Sequence, residues 1–272
     1  MPCDLAQICL PLFVPGDRPD RFAKAQAADP DAVILDLEDA VAPAAKGRAR
    51  DGLADGIAAM APALPLLVRI NAAGTEWHAA DLRALRDLPL AGVLLPKAER
   101  PDDLVRVADA TGKPVIALVE SAPGLHGIHA LAPAAARIAF GSIDYAADLA
   151  MGHSRDALLL ARGQIVLASR LAGLPAPIDG VTVAIDDERA MATDCAHAVD
   201  MGFGGKLLIH PSQIVAARQG FAPPQAAVDW ARRVVAAAGQ GGAALRVDGA
   251  MVDAPVIARA RQILARTQGE PA

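Results

Sequence analysis

Continuously apolar stretches alternate with amphipathic, helix-compatible ones along most of the chain. Eight of the apolar stretches read as strands: Ile8–Val14, Ala32–Leu37, Leu64–Ile70, Ala91–Pro96, Pro114–Val119, Arg137–Phe140, Gly180–Ala184 and Lys206–Ile209. Uninterrupted apolarity, rather than a two-residue alternation, is expected of parallel strands covered on both faces. Helix starts fall between them. Pro19-Asp20-Arg21-Phe22, Pro101-Asp102-Asp103-Leu104 and Asp186-Asp187-Glu188-Arg189 each place proline or acids in a first turn, where unpaired N–H groups favour them. Eight such units close most simply into a TIM (β/α)8 barrel, an α/β fold. An open doubly wound sheet is the competitor, but no GxGxxG follows the first strand.

Beyond the eighth strand the chain runs on further than one closing helix requires. Pro223–Gly239 reads as an amphipathic helix with Trp230 and Val234 on one face and Arg232 and Arg233 on another. Gly241-Gly242 breaks it, Leu245–Val252 reads as a hairpin around Asp248-Gly249, and Pro255–Thr267 as a last helix. The expected organisation is a barrel over 1–222 and a C-terminal extension over 223–272, part of the same domain because it is too small to own a core. Its glycine-rich hinge suggests a lid, or an arm packing on another subunit.

Length and composition agree with this. The chain has 272 residues, close to the roughly 250 of a barrel. With 53% hydrophobic and 21% charged residues it is neither disordered nor a nucleic-acid tail. A net charge of −5 provides no global field for a polyanion, so any anionic ligand must meet local cations. Apolar runs such as Leu158–Ala161 are too short to span a bilayer, and Met1-Pro2-Cys3-Asp4 lacks the basic start of a secretory signal. Cys3, Cys9 and Cys195 have no metal spacing and read as reduced thiols of a cytoplasmic protein.

Barrels of this kind carry their chemistry at the carboxyl ends of the strands. Those ends present Asp36, Glu38 and Asp39, Arg69, Lys97, Glu120, Asp144 and His210. Glu120 and Asp144 follow neighbouring strands, which puts two carboxylates within reach of one hard cation; Mg²⁺ takes one or two and keeps positions for substrate oxygens. Asp36, Glu38 and Asp39 would act through metal-bound water. Arg69, flanked by Val68 and Ile70, can grip a carboxylate in two-pronged fashion or stabilise a developing enolate; a rim ion pair to Asp36 or Glu38 is the alternative. Arg18, Arg21 and Lys24 either meet a phosphate-rich ligand or form a solvated face. His210 either contacts a nucleotide or pantetheine or is structural. His126 and His129, three apart on a helix, lack the HExxH context of a zinc site, and His153 and His197 read as surface residues. No GxSxG elbow or P-loop is present, and Lys97 sits beside Glu99 and Arg100 rather than alone in an apolar strand, so covalent catalysis is not favoured.

Leu12-Phe13-Val14-Pro15-Gly16-Asp17-Arg18-Pro19, Asp36-Leu37-Glu38-Asp39-Ala40-Val41, Val68-Arg69-Ile70-Asn71, Leu95-Pro96-Lys97, Glu120-Ser121-Ala122, Phe140-Gly141-Ser142-Ile143-Asp144 and Gly205-Lys206-Leu207-Leu208-Ile209-His210-Pro211 occur in this order. Together they closely resemble the citrate lyase β-subunit-like branch of the HpcH/HpaI aldolase superfamily. The resemblance spans nearly the whole chain. It implies a Mg²⁺-dependent carbon–carbon lyase that cleaves or forms 3-hydroxyacyl-CoA thioesters such as citryl-, malyl- or citramalyl-CoA. It further implies Glu120 and Asp144 as metal ligands and Arg69 as the substrate-binding arginine, with Glu120 also touching the substrate acid. Glu38, Asp39 and Lys97 would support the metal-bound water, and Arg18, Arg21, Lys24 and His210 would hold the CoA end. Asp253, in a segment resembling one that closes over a neighbouring subunit, would be the acid/base, in a homotrimer. The chain departs from many relatives in having Ile143 instead of an acid before the metal aspartate; Asp148 is a candidate to restore that charge. A β-subunit acting on an acyl-carrier-protein thioester within a complex, a catalytically silent barrel subunit and a free 2-oxo acid aldolase are the alternatives.

Overall fold

The computed structural model describes residues 4–60, 64–239 and 245–267; Cys3 and Gly241-Gly242 lie outside them. Eight parallel strands pair in sequence order: β1 Pro11–Pro15, β2 Ala32–Asp36, β3 Leu66–Arg69, β4 Gly92–Leu95, β5 Val115–Val119, β6 Arg137–Phe140, β7 Ile178–Asp179 and β8 Gly205–Lys206. The segment leaving β8 closes the ring. Leu208 N donates to Pro11 O and Phe13 N donates to Leu208 O, both at 2.9 Å. The fold is the expected TIM barrel.

β7 is displaced from its expected place. Ile178-Asp179 forms the strand, and the stretch read as Gly180–Ala184 is a rim loop with Val183 60% exposed. β8 is likewise shorter than Lys206–Ile209. Both strands are too short to give a periodic signal, and Asp179, inside β7, is a charged residue buried in an ion pair.

Within the strands a two-residue alternation hidden by the continuous apolarity sorts the side chains. Ile34, Leu67, Leu94, Ile116, Leu118, Ala139, Ile178 and Leu207 fill the barrel interior. Val33, Leu35, Val68, Val93, Val115, Ala117, Val119 and Ile138 face the helices. The inward series continues past the apolar layers: Asp36 comes two residues after Ile34, Arg69 two after Leu67, Glu120 two after Leu118 and Gly141 two after Ala139. The same rule that packs the core thus aims these groups at the upper rim. At the opposite end of the interior lies Arg137, 1% exposed. Its Nη1 donates to Leu5 O and Ile8 O at 2.6 Å and its Nε to Ala176 O at 2.8 Å.

After the helix Gln213–Phe221 comes the extension. Helix Gln225–Gly239, hairpin β9 Leu245–Val247 and β10 Ala250–Val252, and helix Ala254–Thr267 follow the expected order. Asp248 and Gly249 have φ of 52° and 82°, the left-handed pair that a two-residue hairpin turn needs. Val228, Ala231, Val234, Val247, Val252, Ala260 and Ile263 form an apolar cluster separate from the barrel's. The extension therefore does own a small core, built by the hairpin between two amphipathic helices. No helix among the described residues is long and apolar enough to cross a membrane.

Candidate active site

A cavity of about 420 Å³ opens at the carboxyl ends of the strands. Phe13, Pro15, Asp36, Asp39, Ala40, Arg69, Leu118, Glu120, Gly141, Ile143, Asp144, Val181 and Ile209 are among its lining. The expected acids and Arg69 thus converge on one space.

Arg69 organises the charged side. Its Nε and Nη2 donate to the two oxygens of Asp36 at 2.7 and 2.6 Å, and Nη1 lies 3.2 Å from Glu38 Oε2 and 3.8 Å from Asp39. The guanidinium also stacks 4.8 Å from the centre of the Phe13 ring. Burial works against its charge, but the Asp36 hydrogen bonds prevail and hold the group above its ordinary pKa. The carboxylate of Asp36 further accepts from Glu38 N and Ala40 N, so one buried acid fixes both the arginine and the loop after β2. Lys46, absent from the sequence reading, pins that loop from behind by donating to Leu37 O and Glu38 O at 2.9 and 2.7 Å. Nothing in the pattern of its helix, Lys46–Asp51, singles it out.

Glu120 sits opposite, 2% exposed. Its Oε1 accepts from Lys97 N at 2.8 Å, and the ammonium of Lys97 reaches Glu38 Oε1 at 3.0 Å. Lys97 adopts φ 47° to make both contacts. Gly141 lies so close that a Cβ there would come 2.3 Å from Glu120 Oε2, so a larger residue would displace the carboxylate. Burial, and then the nearby Glu38 and Asp144 charges, push Glu120 up to about 8; Glu38 is also raised, mainly by burial. Asp144, in the first turn of helix Ser142–Asp148, lines the cavity and makes no hydrogen bond or ion pair with the described residues. Two carboxylates lining one cavity, one of them driven towards its neutral form, are a donor set that a hard divalent ion would satisfy. Among the described residues no cluster of three or more His, Cys, Asp or Glu side chains could hold a metal, so such an ion would keep water ligands.

The raised Glu120 has a consequence for stability. With a folded pKa near 8 against 4.5 unfolded, the folded state binds the proton more tightly. In a chelator, stability is therefore greatest below the unfolded value and falls as pH rises towards 8, by up to about 1.4 kcal/mol per pH unit from this group. Urea titrations between pH 5 and 8 should show this slope in wild type and lose it in Glu120→Gln; an unchanged slope would assign it elsewhere.

Other expected residues lie apart. Arg18 is paired with Asp20 at 2.9 Å, Arg21 and Lys24 are exposed on the first helix, and none of the three lines the cavity. Exposed His210 bonds Ser212 Oγ through Nδ1 at 2.6 Å. Asp253 caps its own helix by accepting from Val256 N at 3.1 Å and is absent from this chain's cavity lining. Asp148 accepts from Ala122 N at 2.7 Å and is not among the residues lining the cavity. His126 and His129 belong to two short helices separated by Gly127. His153 is exposed, as expected, while its Nε2 meets Ser142 Oγ at 2.9 Å; His197 is half-buried rather than on the surface.

Comparison with known proteins places this arrangement. The model of the HpcH/HpaI aldolase/citrate lyase family matches residues 10–211. A citrate lyase subunit beta-like protein of Mycobacterium tuberculosis is 40% identical over 266 residues, covering 94% of each chain. A protein of Cereibacter sphaeroides named (3S)-malyl-CoA thioesterase is 36% identical over 269 residues, covering 94% of this chain and 93% of its own. Among solved structures, CitE from Mycobacterium tuberculosis in complex with magnesium, acetoacetate and coenzyme A is similar with a TM-score of 0.86 at 38% identity. The match covers 96% of this chain and 98% of that one. With its family matched from the first strand to the last and its acids gathered on one rim, the chain belongs to the HpcH/HpaI aldolase/citrate lyase family of lyases.

Proposed function

We propose that the protein is a Mg²⁺-dependent lyase that splits a 3-hydroxyacyl-CoA thioester into acetyl-CoA and a 2-oxo acid. The observation that carries this reading is the convergence of Glu120 and Asp144 on a cavity whose charged side is organised by Arg69. Support comes from the similar CitE structure, whose complex contains magnesium, a small oxo acid and coenzyme A. Glu120 and Asp144 are the proposed metal ligands. Bound there, Mg²⁺ supplies Lewis-acid stabilisation of negative oxygen and orients the acid half of the substrate.

The chain's own groups do the rest. Arg69, held rigid by Asp36, presents fixed positive charge to the oxygen on which charge develops, at no reorganisation cost. Glu38, Asp39 and Lys97 order water around the ligands. In the cleavage direction a base takes the hydroxyl proton, the C2–C3 bond breaks, its electron pair passes into the thioester enolate, and a proton delivered to C2 gives acetyl-CoA. Asp253 is the proposed proton carrier. Because it lies outside its own chain's cavity, it would act on a neighbouring subunit's site, in a trimer. Arg18, Arg21, Lys24 and His210 would meet the CoA handle, whose binding energy can orient the reacting bond.

Hydrolysis of the thioester is a second reading, favoured by the (3S)-malyl-CoA thioesterase relative. Product analysis separates the two: acetyl-CoA with a 2-oxo acid for the lyase, free CoA with a hydroxy diacid for hydrolysis. Activity on a carrier-protein thioester alone would indicate a complex subunit. Asp253→Asn retains a helix-capping side chain, so it should fold normally and bind Mg²⁺ as wild type does, with turnover lower by about 100-fold. Equal loss of Mg²⁺ affinity and turnover would refute the proton-carrier role.

A further inference from the structure

The cavity has two unlike sides. β6, β7 and β8 are consecutive in the barrel, and each sends an aliphatic residue into the cavity from just beyond its carboxyl end: Ile143, Val181 and Ile209. Ile143 and Ile209 remain 42% and 40% exposed, apolar area that a ligand would cover. The charged groups Asp36, Asp39 and Arg69 come from β2 and β3, across the ring. Arg69 is the sole cation among the described residues lining the cavity, and it is already engaged by Asp36 and Glu38. On the aliphatic side the only hydroxyl in the lining, Ser142, is bonded to His153. Apart from a metal held at Glu120 and Asp144, no side chain of that arc is therefore free to receive a second carboxylate.

This asymmetry bears on the substrate if the thioester reading above is right. C3 of such a thioester carries a carboxylate, a hydroxyl, the methylene leading to the thioester and one variable substituent. The carboxylate and hydroxyl belong with the metal and Arg69, and the methylene must lead out towards solvent. The variable substituent is left to face Ile143, Val181 and Ile209. We infer that this aliphatic arc selects thioesters whose C3 substituent is a small alkyl group and rejects those in which it is carboxymethyl. A carboxylate pressed against aliphatic carbon with no partner loses its hydration without replacement. A methyl group in the same place gains about tenfold over hydrogen, the usual worth of one methylene in an apolar pocket.

The test compares kcat/KM for citramalyl-CoA (methyl), malyl-CoA (hydrogen) and citryl-CoA (carboxymethyl) with Mg²⁺ present, in wild type and Ile143→Ala. Calorimetric binding of pyruvate, glyoxylate and oxaloacetate is measured alongside. Citramalyl-CoA should exceed malyl-CoA by about tenfold and citryl-CoA by at least about a hundredfold. Ile143→Ala should bring the methyl-to-hydrogen ratio towards one. Citryl-CoA cleaved within threefold of the best substrate would overturn the inference while leaving the lyase reading intact. If no thioester is cleaved, that reading fails, but pyruvate binding tighter than oxaloacetate, with the preference lost in Ile143→Ala, would still support the aliphatic selection. Equal binding of the two acids in that case would overturn it as well.

Discussion

Asp144→Ala will lower Mg²⁺-dependent thioester cleavage by about a thousandfold, or ~4 kcal/mol of transition-state stabilisation, because the remaining carboxylate alone must hold the ion against competing water. The same substitution should leave the urea midpoint almost unchanged. Asp144 makes no hydrogen bond or ion pair with the described residues, so removing it strands no partner. Calorimetry would read the loss of Mg²⁺ affinity directly. A variant that binds Mg²⁺ as wild type does and retains its turnover would remove Asp144 from the metal site and leave Glu120 alone there.

The largest effect on stability should come from the opposite end of the barrel. Arg137→Met will destabilise the protein by about 3–5 kcal/mol, since the carbonyls of Leu5, Ile8 and Ala176 lose their charged donor inside the fold. An opposing effect exists. Arg137 is buried without an ion-pair partner among the described residues, and burial lowers its pKa to about 10, so removing it also relieves a desolvation cost. Three hydrogen bonds from a charged donor outweigh that relief. Urea unfolding with an unchanged m value is the measurement; a loss under 1 kcal/mol would mean the two effects cancel. Catalysis in the folded variant should be close to normal, because the guanidinium lies at the far end of the interior from the reacting groups.

How much of this was legible in the sequence depended on which signal each part left. β1 to β6 were readable because runs of three to five consecutive apolar residues, bounded by polar or turn residues, leave few alternatives. β7 was not. Its Ile178-Asp179 is two residues long, while the apolar Val181, Val183 and Ile185 beside it belong to the rim and the cavity mouth. Hydrophobicity marks burial against something and does not say whether that something is a sheet, a ligand or another chain. Arg69 and Glu120 stood out because each meets an apolar run at a strand end, and Asp144 because it follows the β6 run within four residues. The sequence presents the pairing of Arg69 with Asp36 as an alternative to substrate binding, but the guanidinium makes that pair and still lines the cavity. The supports were silent. Lys46, the Ser142–His153 contact and the buried Arg162–Asp179–Lys206 group join residues distant in sequence, and no local pattern encodes such meetings.

Lys97 joins Glu38 on the charged side to Glu120 opposite, but by different means. Its ammonium meets Glu38, whereas its peptide N–H meets Glu120. Every amino acid except proline has that N–H, and glycine would adopt the left-handed backbone with less strain than lysine does. The placement of Glu120 is therefore written into the path of the main chain and is largely blind to the identity of residue 97. A scan of side-chain replacements at this position would register only the ammonium. The other half of its contribution would surface only when the amide itself is altered, by proline or by an ester in the backbone.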